Sequence, residues 1–182
     1  AITDVGQSHW YLVPAALLFI GSAAADWRLR GRRQKARLAA LFGQSAFVFA
    51  AVALSGLAAN AVKFVIGRAR PKLFDSVGAW HVDPFTSGYD HASFPSGHAT
   101  TMGAVSLVLM LWFPRLRPAI AVLGLVAAST RIAAEAHYPS DVAGGFLFGW
   151  FFALILARAL AGRALLIHAD PPALLPRLRW PR

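Results

Sequence analysis

Three short segments of this chain carry side chains that handle anions and protons. Lys63, Arg70 and Pro71 form the pattern K-x6-R-P, Pro95-Ser96-Gly97-His98 stands as an unbroken tetrapeptide, and Arg131, His137 and Asp141 form R-x5-H-x3-D. Ammonium and guanidinium groups balance the charge of a phosphate, and the guanidinium fork can donate two parallel hydrogen bonds to it. Imidazoles near neutrality attack electrophiles or move protons. Cations and histidines drawn from three separated segments therefore point to a site that binds a phosphate ester and transfers its phosphoryl group.

Each segment also has a plainer reading. Ser96 is a natural N-cap before an apolar run, which leaves the amides of Gly97, His98 and Ala99 free to meet an anion at a helix N-terminus; on its own the tetrapeptide is also compatible with a capped helix bearing an interfacial His. Lys63 lies inside an apolar stretch, where a charge costs about 2.5–3.5 kcal/mol at mid-helix, and snorkelling alone would explain it. Arg70 precedes Pro71 and so leaves the helix, and Arg68 and Lys72 either share an anion with it or add to its field. Arg131 stands four residues before Glu135, the spacing of an ordinary helix salt bridge. Tyr138-Pro139 ends that helix, so His137 and Asp141 face each other across a tight turn. An Asp accepting from one imidazole nitrogen fixes the tautomer and leaves the other nitrogen as nucleophile or base. Asp75, Asp83 and Asp90 show no metal-ligand spacing, and the absence of cysteine excludes disulfides and thiolate metal sites.

The elements that must position these residues read as membrane helices. The chain has 182 residues, 57% hydrophobic and only 14% charged, with a mean hydropathy of +0.53. A span needs about 20 apolar residues, and five blocks approach this: 10–27, 38–66, 98–113, 118–136 and 140–161. Small residues such as Gly43, Gly103, Gly145 and Gly149 inside them permit close helix contact. The expected fold is an all-α integral membrane bundle: a membrane-embedded domain over 1–168 and a flexible, basic, proline-rich cytoplasmic tail over 169–182. The net charge of +10 does not indicate nucleic acid, because the basic residues cluster at the ends of apolar blocks. Arg28, Arg30, Arg32, Arg33, Lys35 and Arg37, then Arg115 and Arg117, then Arg158 and the basic tail all fall on one side if five spans alternate, and the positive-inside rule makes that side cytoplasmic. The opposite side holds residues 1–9, the long loop 67–97 and the Tyr138-Pro139 turn, and with them all three segments. Residues 1–9 lack the basic start of a secretory signal, and a missing N-terminal piece is expected.

Taken together, the pattern resembles the type 2 phosphatidic acid phosphatase superfamily, whose motifs read K-x6-R-P, P-S-G-H and S-R-x5-H-x3-D. This chain matches them in order and spacing, with Thr130 in place of the Ser before Arg131. The resemblance implies that His137 attacks phosphorus to form a phosphohistidine, that Asp141 orients it, and that His98 protonates the leaving group and then helps activate water. It implies that Lys63, Arg70, Ser96, Gly97 and Arg131 hold the phosphate oxygens, that no metal or other cofactor takes part, and that a full-length membrane member has six spans where five are visible. The expected activity is hydrolysis of a lipid phosphate or pyrophosphate at the outer face of a membrane, the periplasmic face of an inner membrane if the source is bacterial. Undecaprenyl pyrophosphate, phosphatidylglycerol phosphate, phosphatidic acid and lipid A phosphates remain open as substrates. The alternatives are a phosphotransferase between lipids, a non-catalytic lipid-binding or transport protein, and a soluble haloperoxidase, which the apolar spans oppose. Phe74, Trp80, Phe85, Tyr89 and Phe94 either line the substrate's way in or anchor the loop at the interface. His9, His81, His91 and His168 match no motif, and oligomeric state is not legible. The geometric expectation is that His98 and His137 share one hollow ringed by cations.

Overall fold

The computed structural model describes residues 2–162. Six α-helices follow in order: α1 (His9–Ala24), α2 (Arg32–Ile66), the short α3 (Phe74–Val77), α4 (Gly97–Trp112), α5 (Arg117–Ala133) and α6 (Pro139–Gly162). A 3-10 turn, Ile2–Gly6, precedes α1, and two more, Pro71–Leu73 and Pro114–Leu116, lead into α3 and α5. Among the described residues the only β pairing is an isolated antiparallel bridge between Arg68 and Val82, so the fold is all-α. The expected tail 169–182 and His168 lie outside the described residues.

Among the described residues, three helical stretches are long and apolar enough to cross a membrane: Arg32–Ile66, Pro114–Ala133 and Pro139–Ala161. The apolar helices α1 and α4 have 16 residues each, about 24 Å at ~1.5 Å per residue, against a hydrocarbon core of ~30 Å. Three boundaries differ from the sequence expectation. α1 stops at Ala24 instead of running to Trp27, its C-cap Ala25 being extended. α2 begins at Arg32 and takes Arg33, Lys35 and Arg37 into its first turns, because long basic side chains favour helix and reach water from it. α5 stops at Ala133, and Glu135 adopts a positive φ of 52°, so residues 134–136 turn toward α6 instead of continuing the helix.

α4 is the central element, packed against α6, α5 and α2, while α1 packs on α2. Glycines set how closely α4 and α6 approach. A Cβ on Gly103 would lie 2.0 Å from the Phe146 carbonyl oxygen, and one on Gly149 would lie 1.9 Å from that of Thr100. The two backbones are therefore in direct contact, the arrangement small residues allow in lipid. Phe47, Val52, Leu107, Leu111 and Leu154 fill the core on one side of this contact, and Met102, Ala128, Val142 and Phe146 fill it on the other.

The loop between α2 and α4 is folded. Gly67 ends α2 in the left-handed region at φ 61°, donating its N–H to the Lys63 carbonyl at 2.8 Å. The chain then runs extended between two partners. Ala69 N–H donates to His81 O at 3.0 Å and Asp83 N–H to Gly67 O at 2.9 Å on one side; on the other, Arg70 N–H donates to Asp90 O at 2.8 Å and Ser93 N–H to Arg68 O at 3.0 Å. This pairing turns Arg68 and Arg70 from loop residues into fixed ones.

Candidate active site

The first turn of α6 carries Asp141, fully buried. Its Oδ1 accepts from Arg68 Nη1 at 2.6 Å, and its Oδ2 accepts from Ser93 Oγ at 2.6 Å and from the Tyr138 N–H at 2.9 Å. His137, in the turn before α6, is also buried, with Nδ1 3.7 Å from Asp141 Oδ2. That separation is beyond a hydrogen bond, and Nδ1 has no hydrogen-bond partner among the described residues. Such contacts are often long before substrate binds and tighten in the complex. Burial pushes the His137 imidazole below its ordinary pKa; the Asp141 carboxylate pulls it back up, while Arg70 and Lys63 push it further down. The net direction favours the neutral imidazole relative to an exposed histidine.

The Pro95-Ser96-Gly97-His98 turn is bolted to this element. The fully buried Ser96 donates its N–H to the Asp141 backbone carbonyl at 3.0 Å, and its side chain caps α4 by accepting from Ala99 N–H at 3.5 Å. Gly145 makes the approach possible, since a Cβ there would sit 2.5 Å from Ser96 O. His98 packs beneath the N-terminal turn, where a Cβ on Gly6 would come within 2.9 Å of its ring. It lies in the electrostatic field of Arg131, His137, Asp4 and Lys63.

The cations come from three elements. Lys63, near the C-terminal end of α2, reaches Gly97, whose Cβ position is 4.0 Å from Lys63 Cε, and donates to the Ala92 carbonyl at 2.8 Å. Arg70 donates to the carbonyls of Tyr89 at 2.7 Å, Ala136 at 3.1 Å and Ala92 at 3.4 Å, with its guanidinium 3.7 Å from the Tyr89 ring centroid. Arg131, in the last turn of α5, has a buried Nε without a hydrogen-bond partner among the described residues. No Arg131–Glu135 ion pair forms among the described residues, because Glu135 has left the helix.

The expectation of one shared hollow is not met in that form. Gly97 and His98 open on a groove of ≈ 590 Å³ between the start of α1 and the C-terminal half of α2. His137 opens on a separate hollow of ≈ 430 Å³ beside Pro71, Lys72 and Tyr138. Lys63 stands beside Gly97 and Arg70 bonds the Ala136 carbonyl, and both donate to the same Ala92 carbonyl. Both imidazoles nonetheless feel Lys63, and His98 feels His137 directly.

Sequence reasoning left Arg68 unassigned and missed Ser93. Arg68 carried one signal, a basic residue on the face that should be poor in them; Ser93 carried none. Of the loop aromatics, Phe74, Trp80, Phe85 and Tyr89 are exposed, but Phe94 is packed against Gly144, where a Cβ would come within 2.6 Å of its ring. No group of three His, Cys, Asp or Glu side chains able to hold a metal occurs among the described residues.

An apolar helical bundle carrying a cation-ringed His–Asp pair at one end of its helices defines a membrane-embedded phosphoryl-transfer protein. Residues 44–164 match the PAP2 superfamily, and the chain belongs to it. It is 39% identical over 170 residues to a lipid A 1-phosphatase of Rhizobium etli, covering 93% of this chain and 73% of that protein. A lipid A 1-phosphatase of Rhizobium johnstonii is likewise 39% identical over 170 residues, 93% of this chain and 70% of the relative. No solved structure matches the chain. The chain is thus an integral membrane hydrolase of lipid phosphates.

Proposed function

We propose that this chain hydrolyses the 1-phosphate of lipid A, or of a closely similar glycolipid, at the periplasmic face of a bacterial inner membrane. His137 attacks phosphorus and the P–O bond to the lipid breaks, while His98 gives its proton to the departing oxygen. His98 then takes a proton from a water molecule as that water attacks the phosphohistidine, breaking the P–N bond and releasing phosphate. Lys63, Arg70, Arg131 and the amides at the start of α4 neutralise the phosphoryl oxygens through both steps. The observation that carries the chemistry is the buried His137–Asp141 pair, tied by the Ser96 N–H to the turn that presents His98. Lys63 and Arg70 rest on a neutral carbonyl, Ala92 O, and a phosphate dianion is the stronger acceptor for both. Substrate binding therefore draws the two cations off that carbonyl and onto the phosphate, bringing His98 and His137 to one phosphorus atom.

The lipid assignment rests on the identity to two lipid A 1-phosphatases across nearly the whole chain. The groove beside His98 supports it: apolar Leu12, Val52 and Leu57 and polar Gln7, Ser8, His9 and Asn60 line it together. That mixture suits a glycolipid, which carries a polar headgroup on apolar chains. The basic ends of α2 and α5 lie at the opposite end of the helices from the site, which supports an outward-facing site by the positive-inside rule. The test is phosphate release in detergent from lipid A, phosphatidic acid, phosphatidylglycerol phosphate and undecaprenyl pyrophosphate. Lipid A is expected to give the highest kcat/KM with loss of its 1-phosphate, and preference for any other member of the panel overturns the substrate assignment. His137→Ala is expected to fold and to release no phosphate; turnover by that variant removes the nucleophile assignment.

A further inference from the structure

We infer that Arg68 and Ser93, both in the loop between α2 and α4, are positioning residues that hold the two oxygens of Asp141 and through them aim His137; the inference rests on His137 being the nucleophile. A buried carboxylate must be paired and hydrogen-bonded to remain charged. Among the described residues, the side chains that hydrogen-bond this one are Arg68, on Oδ1 at 2.6 Å, and Ser93, on Oδ2 at 2.6 Å. Lys63 of α2 and Arg70 of the loop contribute to the field at Asp141, and each donates to backbone carbonyls.

Arg68 is itself immobilised. Its Nη1 also donates to Ser140 Oγ at 2.8 Å, and its Nε and Nη2 donate to Ala79 O at 3.3 and 3.0 Å. The guanidinium lies 4.5 Å from the Tyr138 ring centroid and 5.5 Å from that of Trp80. Ser93 is fully buried and its N–H donates to Arg68 O at 3.0 Å, so the two residues are also tied to each other.

The division of labour follows from which oxygen each holds. Arg68 takes Oδ1 and balances the carboxylate charge. Ser93 fixes Oδ2, the oxygen that faces His137 Nδ1 at 3.7 Å. The Ser93 hydroxyl thereby sets where Oδ2 stands when the imidazole closes on it. Arg68 limits how much negative charge His137 experiences, alongside Lys63 of α2, Arg70 of the loop and His98 of α4.

The experiment uses the full chain in detergent, with phosphate release from lipid A, inorganic phosphate as the competitive probe of the anion site, and the variants Arg68→Met, Arg68→Lys, Ser93→Ala and His137→Ala. Outer-shell partners of this kind commonly carry about ten- to a hundredfold in activity. That loss is expected in kcat for Arg68→Met and Ser93→Ala, with KM and the phosphate Ki within about twofold of the parent. Arg68→Lys, which keeps the charge, recovers most of the rate. In Arg68→Met the unbalanced carboxylate raises the basicity of His137, so the acid limb of kcat/KM moves to higher pH. Parent-like kcat in both Arg68→Met and Ser93→Ala overturns the inference, as does a phosphate Ki that weakens in parallel with kcat, which marks a merely structural role. Ser93→Ala removes a single hydroxyl and keeps the test decisive if Arg68→Met does not fold. An active His137→Ala would instead overturn the nucleophile reading, so the two failures are distinguishable.

Discussion

Gly145→Ala is the sharpest probe of how the bundle builds the site. The added methyl would stand 2.5 Å from Ser96 O, 3.0 Å from Ser96 N and 3.2 Å from Ala99 Cβ, all on the turn that begins α4. Carbon and carbonyl oxygen settle no closer than about 3.3 Å in packed helices, so α4 and α6 must part there by about 0.8 Å. The displacement falls on the Ser96 N–H bond to Asp141 O, now 3.0 Å, and shifts Gly97 and His98 relative to His137. A misplacement of ~1 Å costs roughly a hundredfold when it separates reacting groups, so kcat/KM should fall by about 30- to 100-fold. Overpacking of this kind also costs about 1–3 kcal/mol of stability. The assay is phosphate release from lipid A by the purified variant, paired with a thermal melt in the same detergent. Gly21→Ala is the matched control, because a Cβ there meets nothing within 4 Å; it should leave the rate unchanged and the melt no lower than the parent's, since Ala is the better helix former. A Gly145→Ala enzyme with parent-like kcat/KM would refute the claim that this contact sets the alignment.

Three further outcomes follow from the same geometry. Because burial lowers the His137 pKa, the acid limb of kcat/KM should fall below the ordinary histidine value of roughly 6.5. The linked stability term has the matching sign: the unfolded imidazole binds its proton more readily, so the term is present above about pH 6.5 and is lost as pH falls through the lower folded value. Melts of the parent and His137→Gln across that range should therefore converge toward acid. Gly56→Leu projects into the groove beside His98 and should raise KM for lipid A while leaving turnover of a short-chain soluble phosphate ester unchanged; equal effects on both would place the lipid elsewhere. Side-chain cations supply the charge balance in the proposed reaction, so EDTA should leave the rate intact and vanadate should inhibit competitively; chelator-sensitive turnover would contradict the scheme.

The parts of the site legible in the sequence are those whose residue type alone restricts their use. Arg70 before a proline, Ser96 before an apolar run and His137 four residues from Asp141 each constrain the backbone locally, and the structure places them at the ends of α2, α4 and α5 as those constraints require. Helix existence was equally legible, because uninterrupted apolar blocks leave few alternatives in lipid. What was not legible depends on tertiary pairing. Ser93 has no distinguishing neighbour in sequence; only the hydrogen bond of its backbone to Arg68 brings its hydroxyl to Asp141. Arg68 could have served an anion or the general field, and the fold committed it to a carboxylate 73 residues away. The meeting of Lys63 and Arg70 on the Ala92 carbonyl was invisible for the same reason. The end of α5 was misjudged because Glu135 is a good helix former that the turn into α6 overrides.

The backbone-to-backbone contact of α4 and α6 has a bearing on how such a protein can change. It welds the tetrapeptide and the His–Asp turn into one rigid block, where almost any larger side chain at Gly103, Gly145 or Gly149 would collide with main-chain atoms. α1, the C-terminal half of α2 and the exposed aromatic loop stand outside that block. New lipid preferences can therefore arise, or be engineered, by recasting those outer walls while the reaction centre is inherited intact.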